Sequence, residues 1–161
     1  MIRIQKAVNT NDFKIIAALA SEIWTEHYTS IIGSKQVEYM LEKFQSEEAI
    51  RDQVQDDVFY NILYFNDQPA GYLSFFKKDD SLFLSKLYVL SQLRGNKIGK
   101  AGLDFIKDQL KELECDRIQL TVNKNNIQSI EAYKKMGFQI IDSIIIDIGN
   151  GFVMDDYLME K

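Results

Sequence analysis

Two hydrophobic periods take turns along this chain. From Ile2 to Val8 apolar and polar residues alternate, the pattern of a half-buried strand. Asn11 or Asp12 is then placed to cap a helix whose Ile16, Leu19, Ala20 and Ile23 share one face. A second helical stretch follows Gly33-Ser34 with Val37, Met40, Leu41 and Phe44, and Ser46-Glu47-Glu48 reads as another helix start with acids in its first turn. The middle of the chain changes to strands. "YNILYF" (60–65), the turn "NDQP" (66–69) and "AGYLSFF" (70–76) form an expected hairpin, and "LFLSKLYVL" (82–90) is a third run. Helical spacing returns at Leu103, Ile106, Leu110 and Leu113. "RIQLTV" (117–122) is the next strand, and a short helix is expected over roughly 127–136. "GNG" (149–151) closes a last hairpin between "IIDSIIID" and "FVMDDYLM".

The order β, helices, β-β-β, α, β, α, β-β predicts an α/β (α+β) layer fold. Its sheet is mixed and largely antiparallel, twisted, of about seven strands, with about four to five helices against it. With 161 residues, 46% of them hydrophobic and 27% charged, the chain is expected to form a single domain over 1–161. No apolar run is long enough to cross a bilayer, so no membrane partner is expected. "MIRIQKAVNTND" lacks the apolar segment and cleavage site of a secretory signal, and a cytoplasmic location is the simplest expectation. A single cysteine, Cys115, excludes an internal disulfide and a cysteine-based zinc site, and no metal is expected. The net charge of −5 argues against nucleic acid as a partner, because phosphate contacts need clustered Lys and Arg. Any polyanionic ligand must find a local basic patch.

One such patch interrupts the pattern. "YVLSQLRGNKIGKAGLDFI" (88–106) runs from a strand through Arg94-Gly95-Asn96-Lys97-Ile98-Gly99-Lys100 into a helix. A helix N-terminus presents unpaired N–H groups and a partial positive charge to anions. Gly95 and Gly99 let the backbone turn sharply and approach a ligand, and Arg94, Lys97 and Lys100 add charge. Gly102, one turn further on, weakens the helix by about 1 kcal/mol, as suits a helix pressed close to a strand or ligand. The plainer reading is a shaped turn with solvated cations. A second stretch, "NKNNIQSIEAYKKMGF" (123–138), places an Asn-rich turn before a short helix that ends at Met136-Gly137-Phe138, with Gly137 suited to a left-handed helix end.

Together the two stretches resemble the GCN5-related N-acetyltransferase (GNAT) superfamily, most strongly from about Tyr60 to Ile141. Arg94-Gly95-Asn96-Lys97-Ile98-Gly99 is similar to its acetyl-CoA pyrophosphate loop, Gln/Arg-x-x-Gly-x-Gly/Ala. Asn126, Ser129, Ile130, Tyr133, Gly137 and Phe138 are similar to its Asn-x-x-Ala-Ile-x-x-Tyr-x-x-x-Gly-Phe segment. The family's central loop glycine is Lys97 here; its ammonium is available to a CoA phosphate as a point charge, and Gly95 is expected to supply the flexibility.

The resemblance implies that the 82–90 strand splays from the 117–122 strand. Acetyl-CoA would be the cosubstrate, its pantetheine on the backbone of Leu87, Tyr88 and Val89, with one N–H there polarising the thioester carbonyl. Tyr133 would protonate the departing sulfur, and Asn126 would contact the cofactor or fix its turn. The general base stays open. Thr121 stands where one common version has a glutamate, and Ser85 and Lys86 are no evident substitute. Glu22, Glu26, His27, Asp155 and Asp156 remain; a solvated helix face is the plainer reading of Glu22 and Glu26, a structural role that of His27, and a water relay needs no dedicated base at all. Asp156 is the chosen candidate because it alternates onto the side of Met154 and Leu158, an apolar setting that raises a carboxyl's pKa.

Acids together with Trp24, Tyr28 and Tyr39 suit a cationic amine. Glu22, Trp24, Glu26, Tyr28 and Asp155 are therefore the expected acceptor-binding set, and the expected partner is a small-molecule amine. "DIGNGFVMDDYLMEK" is also similar in layout to bacterial polyamine acetyltransferases of this superfamily. A protein or peptide acceptor, a non-catalytic CoA-binding sensor, and a homodimer are left open.

Overall fold

The computed structural model describes every residue from Met1 to Lys161. Seven strands form a mixed sheet in the order β1-β2-β3-β4-β5-β7-β6, with five α-helices. In chain order these are β1 (Ile2–Lys6), α1 (Thr10–Ile32), α2 (Ser34–Phe44), α3 (Glu47–Gln55), β2 (Phe59–Phe65), β3 (Gln68–Lys78), β4 (Ser81–Val89), α4 (Ile98–Glu112), β5 (Arg117–Asn123), α5 (Ile127–Lys135), β6 (Gln139–Gly149) and β7 (Phe152–Glu160). A short 3-10 turn, Ser91–Leu93, links β4 to the loop before α4. No helix is long and apolar enough to cross a membrane. The chain divides into two compact units, Met1–Phe76 with Leu84–Gln109, and Lys77–Phe83 with Leu110–Lys161.

In the first unit β1 pairs antiparallel with β2 (Ile4↔Leu63) and β2 with β3 (Tyr60↔Ser74). The opening strand stops at Lys6 rather than Val8 because the next N–H groups turn away: those of Val8 and Asn9 go to Asp12 Oδ2, at 2.9 and 3.4 Å. Asn9 Oδ1 in turn accepts from Asp12 N at 2.9 Å, so the two residues form a reciprocal capping box. The cap is therefore Asn9, two or three residues earlier than expected, and Asp12 lies in the first turn. Gly33, at φ 87, ends α1, and Ser46 Oγ caps α3 by accepting from Ala49 N at 3.1 Å.

Leu63 and Leu73 face Gly102 of α4, whereas on the α1 side the fully buried Ile16, Ala20 and Ile62 accompany a polar chain. Trp24 Nε1 donates to Tyr72 Oη (3.0 Å), Tyr72 to Gln45 Oε1 (2.6 Å), Gln45 Nε2 to Tyr60 Oη (3.1 Å), and Tyr60 to Gln53 Oε1 (2.6 Å). These four bonds tie α1, α3 and the α2–α3 joint to β2 and β3. Burial raises both tyrosine hydroxyls above their usual pKa, so they stay protonated donors. Gly102 plays the part its sequence position suggested. A Cβ there would lie 2.8 Å from Leu87 Cδ1, so the glycine lets α4 press on β4.

In the second unit the start of β4 pairs parallel with β5 through Ser81↔Arg117, Leu82↔Ile118 and Phe83↔Gln119. Antiparallel ladders then join β5 to β7 and β7 to β6. The last hairpin turns on Asn150 (φ 54) and Gly151 (φ 79), the two left-handed residues a tight hairpin needs. Here α4 closes earlier than the apolar spacing implied. Glu114 takes φ 55 and Cys115 N bonds Leu110 O at 2.9 Å, so Leu113 falls outside the helix.

Candidate functional site

After β4 the chain makes the 3-10 turn, in which Leu93 N bonds Leu90 O at 3.0 Å. Gly95 follows at φ 87, and Asn96 Nδ2 donates back to Leu93 O at 2.9 Å. Lys97 takes φ 63, and its carbonyl accepts from Ala101 N at 3.0 Å as α4 begins. The N–H groups of Ile98, Gly99 and Lys100 precede that bond, and a helix start offers such groups to an anion. A Cβ built on Gly95 or Gly99 meets no atom within 4 Å, so open space lies outside both. Arg94, Asn96 and Lys97 are exposed beside them. These residues fit a pyrophosphate. Lys100 Nζ bonds Asp104 Oδ2 at 3.0 Å in an exposed ion pair along the helix.

The left-handed bend therefore falls on Lys97 itself as well as on Gly95. A non-glycine residue pays about 1–2 kcal/mol there, less the entropy a glycine loses on folding. Lys97→Gly should leave the melting temperature unchanged or slightly raised. If the ammonium serves a phosphate, CoA affinity falls about 3–10-fold while pantetheine, which lacks the nucleotide phosphates, binds as before. Equal losses for both ligands in calorimetry would exclude the charge role.

Along β4 successive side chains face opposite ways. Leu87 meets α4, whereas Tyr88 reaches Tyr28 of α1, with their hydroxyl oxygens 3.1 Å apart. The Trp24 ring stands 5.3 Å from Tyr28 and 5.8 Å from Tyr88. Trp24 is only 4% exposed and its N–H is committed to Tyr72, so it backs the cluster. Trp24 continues the apolar stripe of α1. Glu22 and Glu26 are exposed on α1, and Glu26 Oε1 accepts from Ser91 Oγ at 2.6 Å, which anchors the helix to the turn after β4. His27 packs edge-on to Tyr28, and Tyr39 Oη receives Lys43 Nζ at 3.1 Å on its own helix.

In the second unit Asn126 is buried and caps α5, its Oδ1 accepting from Ser129 N at 3.4 Å. Of its two expected roles, fixing the turn is the one this geometry displays. Tyr133 is partly exposed, its ring 5.6 Å from Phe138, and Gly137 takes φ 98 as the helix end requires. Asp156 pairs across β7 with Asn123 and Ile144, so its face is mixed and less apolar than Met154 and Leu158 alone suggest. It is nonetheless 3% exposed. Burial pushes its carboxyl up to about 6, with the Asp155 charge adding and the Lys124 ammonium opposing. Asp155 points elsewhere: Lys124 Nζ holds its Oδ1 at 2.8 Å, so it reaches an acceptor only by giving up that ion pair. The pattern of the chain missed Lys124 because the pair crosses from the turn after β5 to β7. The Lys86 ammonium is desolvated and lowered to about 8, which its place in the sequence did not signal.

The comparisons agree with this layout. The family model "Acetyltransferase (GNAT) family" matches residues 17–138. Among solved structures, the chain is similar to the PaiA N-acetyltransferase of Thermoplasma acidophilum in complex with coenzyme A. The TM-score is 0.82 and the identity 23%, over 100% of this chain and 98% of that one. It is also similar to Naa50 of Arabidopsis thaliana in complex with the bisubstrate analogue CoA-Ac-MVNAL, at TM-score 0.66 and 22% identity, over 99% and 97% of the two chains. Among curated proteins, it is 33% identical over 63 residues to a spermine/spermidine N(1)-acetyltransferase of Bacillus subtilis. That stretch is 38% of this chain and spans only 41% of the relative. The family match over most of the chain makes it a member of the GNAT acetyltransferase family, whose cosubstrate is acetyl-CoA.

Proposed function

We propose that the chain is an acetyl-CoA-dependent N-acetyltransferase whose acceptor is a small cationic amine, polyamines included. The observation that carries the activity is the loop at 94–100, where a left-handed turn delivers consecutive N–H groups and two exposed cations to one mouth. Acetyl-CoA supplies the activated acyl group. The N–H groups of Ile98, Gly99 and Lys100 hold its pyrophosphate, and the backbone of Leu87, Tyr88 and Val89 orients its pantetheine arm. An N–H there offsets charge growing on the carbonyl oxygen. Tyr133 gives its proton to the leaving sulfur.

The acceptor enters as an ammonium and must lose a proton before it attacks. Asp156 is the base of this reading. A carboxyl near 6 binds a proton more firmly than an ordinary aspartate, yet is ionised at neutral pH. Glu22 and Glu26, exposed on α1, attract the cation, and Tyr28 contributes from the same helix. The partial identity to the Bacillus spermine/spermidine enzyme supports a polyamine. The peptide-type complex of the Arabidopsis neighbour is a likeness of fold.

Asp156→Asn separates the base from a merely structural carboxylate. Because the folded pKa is raised, the wild-type group favours the folded state most below about pH 4 and loses that contribution as pH rises through about 6. The variant should therefore melt higher than wild type at pH 7–8, with the gain vanishing at low pH. Its kcat/KM for a diamine should fall at least tenfold and lose the rise through about pH 6. A variant as active as wild type across that range would remove Asp156 from the mechanism.

A further inference from the structure

Lys86 has no part in the mechanism above, and its setting is unusual. It alternates with Ser85, so the two side chains leave β4 on opposite faces, Lys86 on the side of Tyr88 and Ser85 on the side of Leu87. Yet Lys86 Nζ donates to Ser85 Oγ at 2.9 Å. The stem can reach a hydroxyl on the other face only by curling round an edge of the strand. One edge is taken by β3, whose Ala70 O accepts from Leu90 N at 2.8 Å and whose Gly71 lies hard against Tyr88 O. The ammonium therefore lies over the other edge of β4 at Ser85, next along the strand to the backbone of Leu87–Val89 assigned above to the pantetheine arm. The β5 ladder is confined to Ser81–Phe83, so it does not pair this stretch.

The charge there is also uncompensated. Ser85 Oγ is its hydrogen-bond partner, no carboxylate joins it in an ion pair, and desolvation alone perturbs it. This is so in a chain with 24 acidic residues against 19 lysines and arginines. Part of the residue still meets solvent, but the atoms packed round the ammonium lower its pKa to about 8, so about a tenth is neutral amine at pH 7. A lone desolvated ammonium is costly to keep, and the same desolvation makes its neutral form a nucleophile.

We propose that Lys86 is a self-acetylation site, an internal acceptor that takes the acetyl group of acetyl-CoA bound along β4. The inference rests on the acetyl-CoA reading above. In the step, neutral Nζ attacks the thioester carbonyl carbon, the N–C bond forms and the C–S bond breaks. The proton lost by nitrogen ends on the sulfur, giving acetyl-lysine and CoA thiol with no further reactant. The product is neutral, which removes the uncompensated charge and leaves an amide N–H for Ser85 Oγ.

The test incubates the purified chain with acetyl-CoA and no external amine, then maps adducts by mass spectrometry, with CoA affinity measured by calorimetry on the same preparation. The expected result is one acetyl group per chain at Lys86, saturable in acetyl-CoA and suppressed by excess CoA. It should form at least about tenfold faster than adducts on exposed Lys14 and Lys107 and be absent in Lys86→Arg, which still binds CoA. A chain that binds CoA while Lys86 stays unmodified, or is modified no faster than those exposed lysines, overturns the proposal. A chain that fails to bind CoA overturns the reading beneath it as well, and calorimetry tells the two failures apart.

Discussion

Replacing Tyr133 by phenylalanine is expected to lower acetyl-transfer turnover about 100-fold or more while fold and CoA affinity persist. The ring packs edge-on against Phe138, and the Tyr133 carbonyl accepts from Phe138 N at 3.0 Å, so the contacts that hold the end of α5 survive loss of the hydroxyl. On the proposed mechanism the substitution removes the proton donor. The leaving sulfur must then depart as thiolate or borrow a proton from water, a penalty that falls on kcat more than on binding. Thermal melting and CoA titration should match wild type, with the loss confined to turnover. Wild-type turnover in the variant would make Tyr133 a packing residue and move the proton donor elsewhere.

The largest effect on stability is expected at Gly71. A Cβ there would lie 2.1 Å from Tyr88 O, 3.0 Å from Val89 Cα and 3.1 Å from Tyr88 C. All three are backbone atoms, so no side chain can swing aside, and the adjacent Ala70–Leu90 hydrogen bond at 2.8 Å resists separation of the strands. Gly71→Ala should cost about 3 kcal/mol or more, at the upper end of overpacking effects, and lower the melting temperature by roughly 6–12 °C. The displaced segment is the backbone assigned to pantetheine, so CoA affinity should fall with stability. Gly151→Ala is the control, since its Cβ meets nothing within 4 Å and only its positive φ is strained. Equal melting temperatures for the two variants would refute the close β3–β4 approach.

Most of the layer order is legible in the chain because local periods and turn chemistry determine it. The Asn150-Gly151 turn and the Gly137 helix end both take the left-handed angles their residue types favour. The helix cap was displaced because "NTND" offers several capping side chains, and only the reciprocal Asn9–Asp12 spacing selects one. Lys97 hides its left-handed φ, since a lysine carries no such preference. For Trp24 the signal was present: it lies four residues beyond Ala20, on the stripe that buries α1, and that spacing outweighs its aromatic character. The burial of Asp156 is legible in the alternation along β7, but the pairing of Asp155 with Lys124 depends on tertiary placement. The Lys86 edge position likewise needs the β3 and β5 ladders, which no local pattern encodes.

The central claim is transfer of acetyl from CoA to a small cationic amine, and competition between acceptors tests it most directly. With acetyl-CoA held saturating, CoA thiol release is followed with spermidine, a diamine and an N-terminal peptide, and the products are identified by mass. The account predicts acetylated spermidine and diamine, a kcat/KM for these at least tenfold above that of the peptide, and abolition of the difference when amine-binding acids on α1 are neutralised (Glu22→Gln with Glu26→Gln). Acetylation of the peptide with none of the polyamines would contradict it.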